Sequence, residues 1–341
     1  LASYKNEPST ITRKGERMSM KKGRIKKAFQ DPYQRMLLGN DIKKIALTIL
    51  QIAIIVGVSY VILSPVIGMV VNSFSGDKDA MNPMVFIFPE YPTLEKYKIV
   101  IEVMDYVPTI LKNILYVITL TVIQVLVCSM VGYGFARFEF PFKKLLFAMV
   151  VVMIVIPSYT IKLPLYVTFR NFDPVGLMTA IFGAPKNLMG TPWPMYIMSL
   201  LGCGVRSGLY IYIFNQFFRG LPKEIEEAAF VDGAGMWYTY FNIMLKNASP
   251  AVITVTVFSL VWQFNDTFYS NLFLVSEDIV IAKKISTLAS VIAGEYKILN
   301  VTLQELYLHA GIILVLLPII LIYLVLQRYF IEGVERSGIV G

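Results

Sequence analysis

Six long apolar stretches set the tightest limit on how this chain can fold. They are residues 45–71, 110–131, 145–167, 194–218, 251–275 and 310–326. Each has roughly the twenty residues that a helix needs to cross a bilayer, where the backbone must satisfy its own hydrogen bonds. Only 16% of the 341 residues are charged, against about a quarter in soluble domains. The sequence therefore predicts an all-α membrane protein, a bundle of six transmembrane helices without a soluble domain.

The third and fourth of these stretches contain residues that disfavour a continuous helix. The third is interrupted by Pro157 and Pro164, and the fourth contains Gly202, Gly204 and Arg206. Proline removes a helical hydrogen bond, glycine lowers helix propensity, and a charged side chain is costly in lipid. The fourth stretch is therefore the least regular of the predicted spans.

The distribution of basic residues predicts the orientation of the bundle. Residues 1–44 hold twelve Lys and Arg against four acids, whereas residues 72–108 hold three lysines against six acids. Because cytoplasmic segments carry the excess of basic residues, both termini are predicted to be cytoplasmic. The predicted segments are a basic cytoplasmic N-terminal segment (1–44), the first transmembrane helix (45–71), an extracytoplasmic loop (72–108), a five-helix core with a cytoplasmic loop at 219–247 (109–331) and a cytoplasmic tail (332–341).

An acidic segment, EEAAFVDGAGMW at residues 226–237, lies between the fourth and fifth stretches. The surrounding loop 219–247 holds three basic and four acidic residues, which breaks the basic pattern of the cytoplasmic side. Pro222 suits the first turn of a helix, and Gly233 and Gly235 permit a sharp change of direction after it. The loop is therefore predicted to form a short acidic helix, a turn and a second helix.

Helical spacing divides the side chains of these two short helices into faces. One stripe of the first helix carries Ile225, Ala228, Ala229 and Asp232, and a neighbouring stripe carries Glu224 and Glu227. One face of the second helix carries Trp237, Tyr240, Phe241 and Met244. An amphipathic linker on the lipid headgroups is one interpretation, but anionic lipids attract basic helices and this one is acidic. The loop is better interpreted as a protein-docking site.

The sequence EAAFVDGAGMWYTYFNIML resembles the EAA loop in the permease subunits of bacterial binding-protein-dependent ABC importers. The family pattern is Glu-Ala-Ala, three residues, Gly, nine residues, Ile, one residue, Leu and then Pro. The residues in register with it are Glu227, Ala228, Ala229, Gly233, Ile243 and Leu245. Lys246 stands where the family usually has proline. The DGA at residues 232–234 is common in the carbohydrate branch of the family.

Four other stretches resemble the same branch. GYGFARFEFPFKK resembles its link between two early spans, and IPSYTIKLPLY resembles its proline-interrupted outward segment. WQFNDTF resembles its Trp-Asn-Asp stretch, and EGVERSGIVG is similar to the tail of the maltose-type subunit. The resemblance covers roughly residues 93–341. It implies the six-helix fold of an ABC importer permease with cytoplasmic coupling helices.

The resemblance also implies a function and a set of partners. The chain would be a non-catalytic subunit in a bacterial cytoplasmic (inner) membrane, forming half of the pathway for a carbohydrate, such as an oligosaccharide. Its partners would be a second homologous permease, two copies of an ATP-binding subunit, an extracytoplasmic solute-binding protein and membrane lipid, without nucleic acid. The chain lacks a glycine-rich phosphate loop ending in Gly-Lys-Ser/Thr. ATP and Mg are therefore expected on the partner ATPases, and no cofactor or metal is expected on this chain.

Individual residues acquire implied roles from the same resemblance. Contact with the ATPase is implied for Glu224, Glu227, Ala228, Ala229, Asp232, Gly233 and Trp237. In the maltose-type subunit the tail reaches between the two ATPase protomers, and the corresponding residues here are Gly333, Ser337, Gly338 and Gly341.

The solute path is harder to locate from the sequence. Trp262, Asn265 and Asp266 are candidates, because polar side chains within an apolar span usually face an interior. The alternative is that Asp266 reaches the outer headgroups. A permease for a non-sugar solute also stays open. A polytopic membrane enzyme would need clustered catalytic side chains, whereas Asp266 and His309 are far apart in the chain.

Overall fold

A computed structural model describes residues 32–82, 88–274 and 279–338 of the chain. Side chains are described from residue 43 to residue 327, with gaps at 83–87, 275–278 and 326. The chain divides into two compact units, Leu1–Gly68 and Met69–Gly341. All contacts discussed below lie within the second unit.

The described residues form helices, with two isolated β-bridges and no strand. The helices are α1 (Pro32–Phe74), α2 (Glu95–Val103), α3 (Tyr106–Arg137), α4 (Lys143–Val155), α5 (Lys162–Arg170), α6 (Leu177–Phe182), α7 (Trp193–Leu200), α8 (Ser207–Gly220), α9 (Glu224–Val231), α10 (Met236–Asn247), α11 (Ser249–Phe264), α12 (Phe268–Phe273), α13 (Ile281–Glu295) and α14 (Val301–Gly338). The predicted all-α fold is confirmed.

The number of helices that can cross a membrane differs from the prediction. Among the described residues, three helical segments are long and apolar enough, and they are Lys43–Phe74, Tyr106–Arg137 and Val301–Val325. Two bent pairs raise the number to five if each counts as one span. They are Lys143–Val155 with Ser158–Arg170, bent by 104°, and Met236–Asn247 with Ser249–Phe264, bent by 77°. A count of six spans therefore does not follow from helix length and hydropathy.

The breaks fall where the sequence contains residues that disfavour a helix. In the third stretch, Ile156 precedes Pro157 and is extended (φ −63°, ψ 122°), as steric contact with a following proline favours. The fourth stretch is divided between α7 and α8, because Gly202 and Arg206 adopt left-handed backbone conformations with φ of 70° and 59°. Neither half is long enough to span a bilayer alone. Unlike the helices of the third and fifth stretches, α7 and α8 do not form one of the two bent pairs, so the fourth stretch is not counted as a span.

Two clusters of buried apolar side chains lie along α3. The first surrounds the beginning of α3 and includes Val100, Leu120, Phe264, Ile281, Leu288 and Ala310. The second surrounds its end and includes Cys128, Tyr133, Phe214, Phe218, Tyr240 and Met244. The second cluster joins α3 to α8, α10 and α11, and so it supports the loop 219–247.

A layer of buried polar side chains separates the two clusters. It consists of Thr121, Gln124, Ser207, Ser259 and Gln263. Gln124 Nε2 donates to Val205 O (2.8 Å) and to Ser207 Oγ (3.0 Å). Gln124 Oε1 accepts from Ser259 Oγ (2.8 Å) and from Gln263 Nε2 (3.0 Å). Both donors and both acceptor positions of this amide are used, so one side chain connects α3, α8 and α11.

Replacing Gln124 by leucine is expected to destabilise the bundle by about 1–3 kcal/mol, because buried polar partners on α8 and α11 lose their hydrogen bonds. The measurement is the unfolding midpoint of the purified protein in a denaturing detergent titration. Thr119→Val is the matched control, since the Thr119 hydroxyl bonds only to Leu115 O of its own helix. Equal midpoints for the two variants would contradict a connecting role for the polar layer.

Close contact between α3 and α8 depends on a glycine. A Cβ atom on Gly132 would lie 2.6 Å from Phe214 Cβ and 3.0 Å from Asn215 N. Any other residue would push the two helices apart at this level. The ends of α3 and α8 are thereby held together on the side where the loop 219–247 begins, which we call the loop end of the bundle.

Candidate functional site

The loop 219–247 forms two helices joined by a tight turn. Three acids, Glu224, Glu226 and Glu227, lie in the first turn of α9, where they favour the helix dipole. Gly233 ends the helix in a left-handed conformation with φ of 81°. Its N–H donates to Phe230 O (3.0 Å), and the Ala234 N–H donates to Ala229 O (2.9 Å). This is the Schellman arrangement that usually needs glycine, and so the predicted turn is present.

The side chains of α9 divide differently from the predicted stripes. Ala229 is buried and Ile225 is half-buried, as a packing stripe requires, but Ala228 and Asp232 are exposed. Glu224 and Glu227 are exposed as well. The face that packs against the bundle instead includes Glu226, one turn before Ala229. Of the residues on the predicted stripe, Ile225 and Ala229 are at least partly buried, whereas Ala228 and Asp232 are exposed.

A buried ion pair attaches α9 to the end of α3. Arg137 Nε lies 3.0 Å from Glu226 Oε2, and the two side chains are only 6% and 10% exposed. The other end of the guanidinium donates from an Nη atom to Leu221 O (2.9 Å), just before α9 begins. Removing a charge from water is costly unless an opposite charge lies close to it. The pair therefore fixes α9 to the last residue of α3.

The second short helix is attached to the same face of α3. The Tyr240 hydroxyl lies 2.7 Å from Ser129 Oγ, and the Tyr240 ring packs against Tyr133, with centroids 5.1 Å apart. Ser129, Tyr133 and Arg137 follow one another at intervals of four residues, so they line one face of α3. Three successive turns of α3 therefore hold the loop, and a force on the loop acts directly on this helix.

The predicted face of α10 is divided into two stripes. Tyr240 and Met244 are buried, whereas Trp237 and Phe241 are exposed and stack on each other with ring centroids 6.2 Å apart. The four residues lie on a helix that contains a π turn at Thr239–Met244. The interpretation of all four as one face is therefore wrong, because only the Tyr240 stripe faces α3.

The outward side of the loop carries acidic and apolar residues next to each other. Val231 is 88% exposed and Trp237 is 59% exposed, and Phe230 and Met236 are exposed as well. We call this surface the docking face and define it by Glu224, Glu227, Ala228, Val231, Asp232, Gly233 and Trp237, which are all exposed. Six of the seven residues predicted to contact a partner lie on it. Ala229 is the exception, because it packs inward.

Residues Arg137 and Glu226 were not among the predicted site residues. The sequence contains one relevant feature for each residue. Arg137 lies in the last turn of an apolar helix, and Glu226 lies one helical turn before the buried Ala229. Neither feature indicates that the other residue is its partner. Only the packing of α8 against α3 brings these two charges together.

The three residues predicted for a solute path lie far from the docking face, at and beyond the opposite end of α11. The Trp262 side chain is 43% exposed, and Asn265 Nδ2 bonds to Val261 O of its own helix (3.0 Å). Asp266 accepts hydrogen bonds from the N–H groups of Tyr269 (3.3 Å) and Ser270 (3.0 Å). These bonds make Asp266 a cap for α12.

The predicted tail belongs to a helix over most of its length. The helix α14 continues to Gly338, so Gly333, Ser337 and Gly338 lie on its backbone. Gly341 lies outside the described residues.

Comparisons with known proteins agree with the arrangement of these elements. The family model for the inner membrane component of binding-protein-dependent transport systems matches residues 126–336. A probable ABC transporter permease from Pyrococcus horikoshii is 29% identical over 224 residues, 65% of this chain and 72% of that protein. The arabinooligosaccharide transport system permease AraQ from Halalkalibacterium halodurans is 24% identical over 288 residues, 83% of this chain and 93% of AraQ.

A solved structure has the same fold. It is the crystal structure of a bacterial ABC transporter involved in the import of the acidic polysaccharide alginate, one chain of which matches with a TM-score of 0.68 and 18% identity. The match covers 84% of this chain and 96% of that one. With its family match over 126–336, which includes the loop and both residues of the buried ion pair, this chain belongs to the inner membrane components of binding-protein-dependent transport systems.

Proposed function

We propose that this chain is a permease subunit of an ATP-driven carbohydrate importer, and that the loop 219–247 couples it to a cytoplasmic ATPase. Relatives named for sugars support the substrate class. They include AraQ and the melibiose, raffinose and stachyose permease MelC of Bacillus subtilis, which is 27% identical over 215 residues. The proposed orientation places both termini and the loop in the cytoplasm, as the basic residues predict.

The proposed assembly contains this chain, a second homologous permease, two ATP-binding subunits and an extracytoplasmic binding protein. The sequence has no glycine-rich phosphate loop. ATP hydrolysis, with its Mg, is accordingly assigned to the partner subunits. In this scheme the docking face contacts an ATPase subunit, with Gly333, Ser337, Gly338 and Gly341 as a second point of contact.

The buried pair between Arg137 and Glu226 carries the proposal. Exposed acids and apolar residues on one side of α9 suit a partner surface, while the opposite side is fixed to α3 by an ion pair. A movement imposed on the docking face would therefore be transmitted to α3 rather than absorbed in the loop. The helix α3 continues into the polar layer, where Gln124 holds both α8 and α11.

The solute path is proposed to include the end of the bundle that lies opposite the loop. Trp262, Asn265 and Asp266 are proposed to lie near this path, with Asp266 acting through the cap that it provides for α12. A non-sugar solute is the second candidate for this pathway, because a coupling loop of this kind does not itself contact solute.

Purification of the gently solubilised native assembly tests the proposed partners. We expect one copy of this chain with one homologous permease and two ATPase copies. Reversing two charges on the docking face, with Glu227→Lys and Asp232→Lys together, is expected to remove most of the ATPase, since complementary charges select partners.

Glu139→Lys is the matched control for the charge reversal. Glu139 is an exposed acid at the loop end but outside the docking face, and it pairs with Lys143 at 2.8 Å. This control variant should keep its ATPase. Recovery of the wild-type chain alone or as a homodimer, without an ATPase even at low salt, would contradict the proposal.

A further inference from the structure

A charged side chain, Arg206, lies within the fourth apolar stretch of the sequence, in the second unit. It directly precedes α8, and the helix from Ser207 to Gly220 leads from it to the loop end. With a rise of 1.5 Å per residue, this helix places Arg206 about 20 Å from the loop end. The hydrocarbon core of a bilayer is about 30 Å thick. Arg206 is exposed in this chain, and a charged side chain in an apolar span usually faces a polar partner or a water-filled cavity rather than lipid.

The guanidinium of Arg206 stacks on an aromatic ring and keeps its donors free. Its central carbon lies 4.3 Å from the centroid of the Trp262 ring. In the part of the chain that the structure describes, no carboxylate forms an ion pair with it. Stacking uses the flat face of a guanidinium, whereas its five N–H groups point outward in the plane. The edge of the group is therefore available for a planar anion such as a carboxylate.

The backbone around Arg206 is held from both sides. Gln124 Nε2 donates to Val205 O and to Ser207 Oγ, the residues immediately before and after it. Arg206 itself has a φ of 59°, a conformation that side chains other than glycine, asparagine and aspartate rarely adopt. A residue held in a rare conformation by a complete hydrogen-bond network indicates a position with a function.

We propose that Arg206, supported by Trp262, binds the anionic group of an acidic saccharide during its passage through the membrane. This inference rests on the proposed carbohydrate transport and assigns it a substrate class, saccharides that carry carboxylates. A neutral sugar needs hydrogen-bonding groups but no charge. A fixed guanidinium with a free edge selects carboxylates, which it binds in a bidentate manner. The positive end of the α8 dipole lies at the same position and acts in the same direction.

The test compares the uptake of two labelled probes by cells in which this chain is replaced by variants. The probes are oligogalacturonates and neutral galacto-oligosaccharides of the same length. We expect wild-type cells to take up the acidic probe and Arg206→Gln to lower that uptake about tenfold or more, because a charge-assisted hydrogen bond is lost. Arg206→Lys should give an intermediate loss, since lysine keeps the charge without the planar fork.

Arg170→Gln is the matched control. Arg170 also lies over an aromatic ring, that of Tyr166 at 5.6 Å, but on α5 rather than beside the polar layer. Uptake of both probes should stay unchanged in this variant. The amount of each variant in the membrane, and its recovery with the second permease, are measured in the same cells.

Each other outcome overturns the inference. Uptake of neutral probes only, or full uptake of the acidic probe by Arg206→Gln, would overturn it and leave carbohydrate transport intact. Equal loss of both probes would make Arg206 a structural residue. Loss of the second permease from the Arg206→Gln assembly would identify a partner carboxylate as its ligand. If neither probe nor any other saccharide is taken up, the proposed function fails together with the inference.

Discussion

An Arg137→Leu variant is expected to reach the membrane in normal amounts but to lose solute-driven ATP hydrolysis about a hundredfold. The change leaves the Glu226 carboxylate buried against the bundle without its counter-charge. Removing one partner of a buried ion pair costs about 3–5 kcal/mol, and each 1.4 kcal/mol is about a factor of ten in an equilibrium. The attached state of α9 would therefore no longer dominate, and movements of the loop would not reach α3.

A double variant separates the effect of attaching α9 to α3 from the effect of leaving one buried charge unpaired. Replacing both residues, with Arg137→Leu and Glu226→Leu together, removes the isolated charge and leaves an apolar contact, which is often as stable as the ion pair. We expect this double variant to recover much of the coupling that Arg137→Leu alone loses. ATP hydrolysis and solute uptake are measured on the same reconstituted assembly. Wild-type coupling in the Arg137→Leu variant would show that α9 does not act through α3.

The control for this experiment is Lys143→Leu at the same end of the bundle. Lys143 pairs with Glu139 at 2.8 Å, but the Glu139 side chain is 88% exposed. The hydrogen bond from Lys143 lowers the pKa of the Glu139 carboxyl, yet water can replace the lysine. Exposed ion pairs contribute little to stability, and so Lys143→Leu should leave coupling unchanged.

Replacing Gly233 by proline is expected to leave the chain in the membrane while abolishing transport-linked ATP hydrolysis. Proline fixes φ near −65°, whereas Gly233 has a φ of 81°. The change also removes the N–H that donates to Phe230 O. Proline at a position whose φ it cannot adopt and whose N–H was hydrogen-bonded destabilises a protein by more than about 1 kcal/mol. The Schellman turn would be lost, and α9 and α10 would change their relative direction on the docking face.

Gly235→Pro is the matched control two residues further on. Gly235 has φ −73° and ψ 161°, a conformation that proline adopts, and a Cβ atom there would meet no atom within 4 Å. ATP hydrolysis, solute uptake and the amount of protein in the membrane are measured for both variants. Normal uptake by Gly233→Pro would remove this turn from the coupling path. Equal losses in both variants would show that the loop tolerates no proline, whatever the value of φ.

The sequence by itself determined the class of fold, because burial of a long apolar helix in lipid depends on the sum of local contributions. The stretches around α1, α3 and α14 are long enough for these summed contributions to favour a helix across the membrane, and each forms a continuous helix. The turn at Gly233 was predictable for the same reason, since its left-handed backbone depends on a single residue. The family was predictable as well, because the spacing of the EAA pattern is a property of the chain alone.

The tertiary structure determined those features of the fold for which contacts between distant segments compete with local preference. The fourth apolar stretch contains residues that disfavour a helix, but the break between α7 and α8 is held in place by Gln124, which donates to Val205 O and to Ser207 Oγ. Glu226, and not its neighbour Glu227, faces inward because Arg137 ends α3 at that point. On a helix as short as α9, the apolar pattern is too weak to choose a buried side. The choice falls to a single ion pair between residues far apart in the sequence, and no local pattern contains that information.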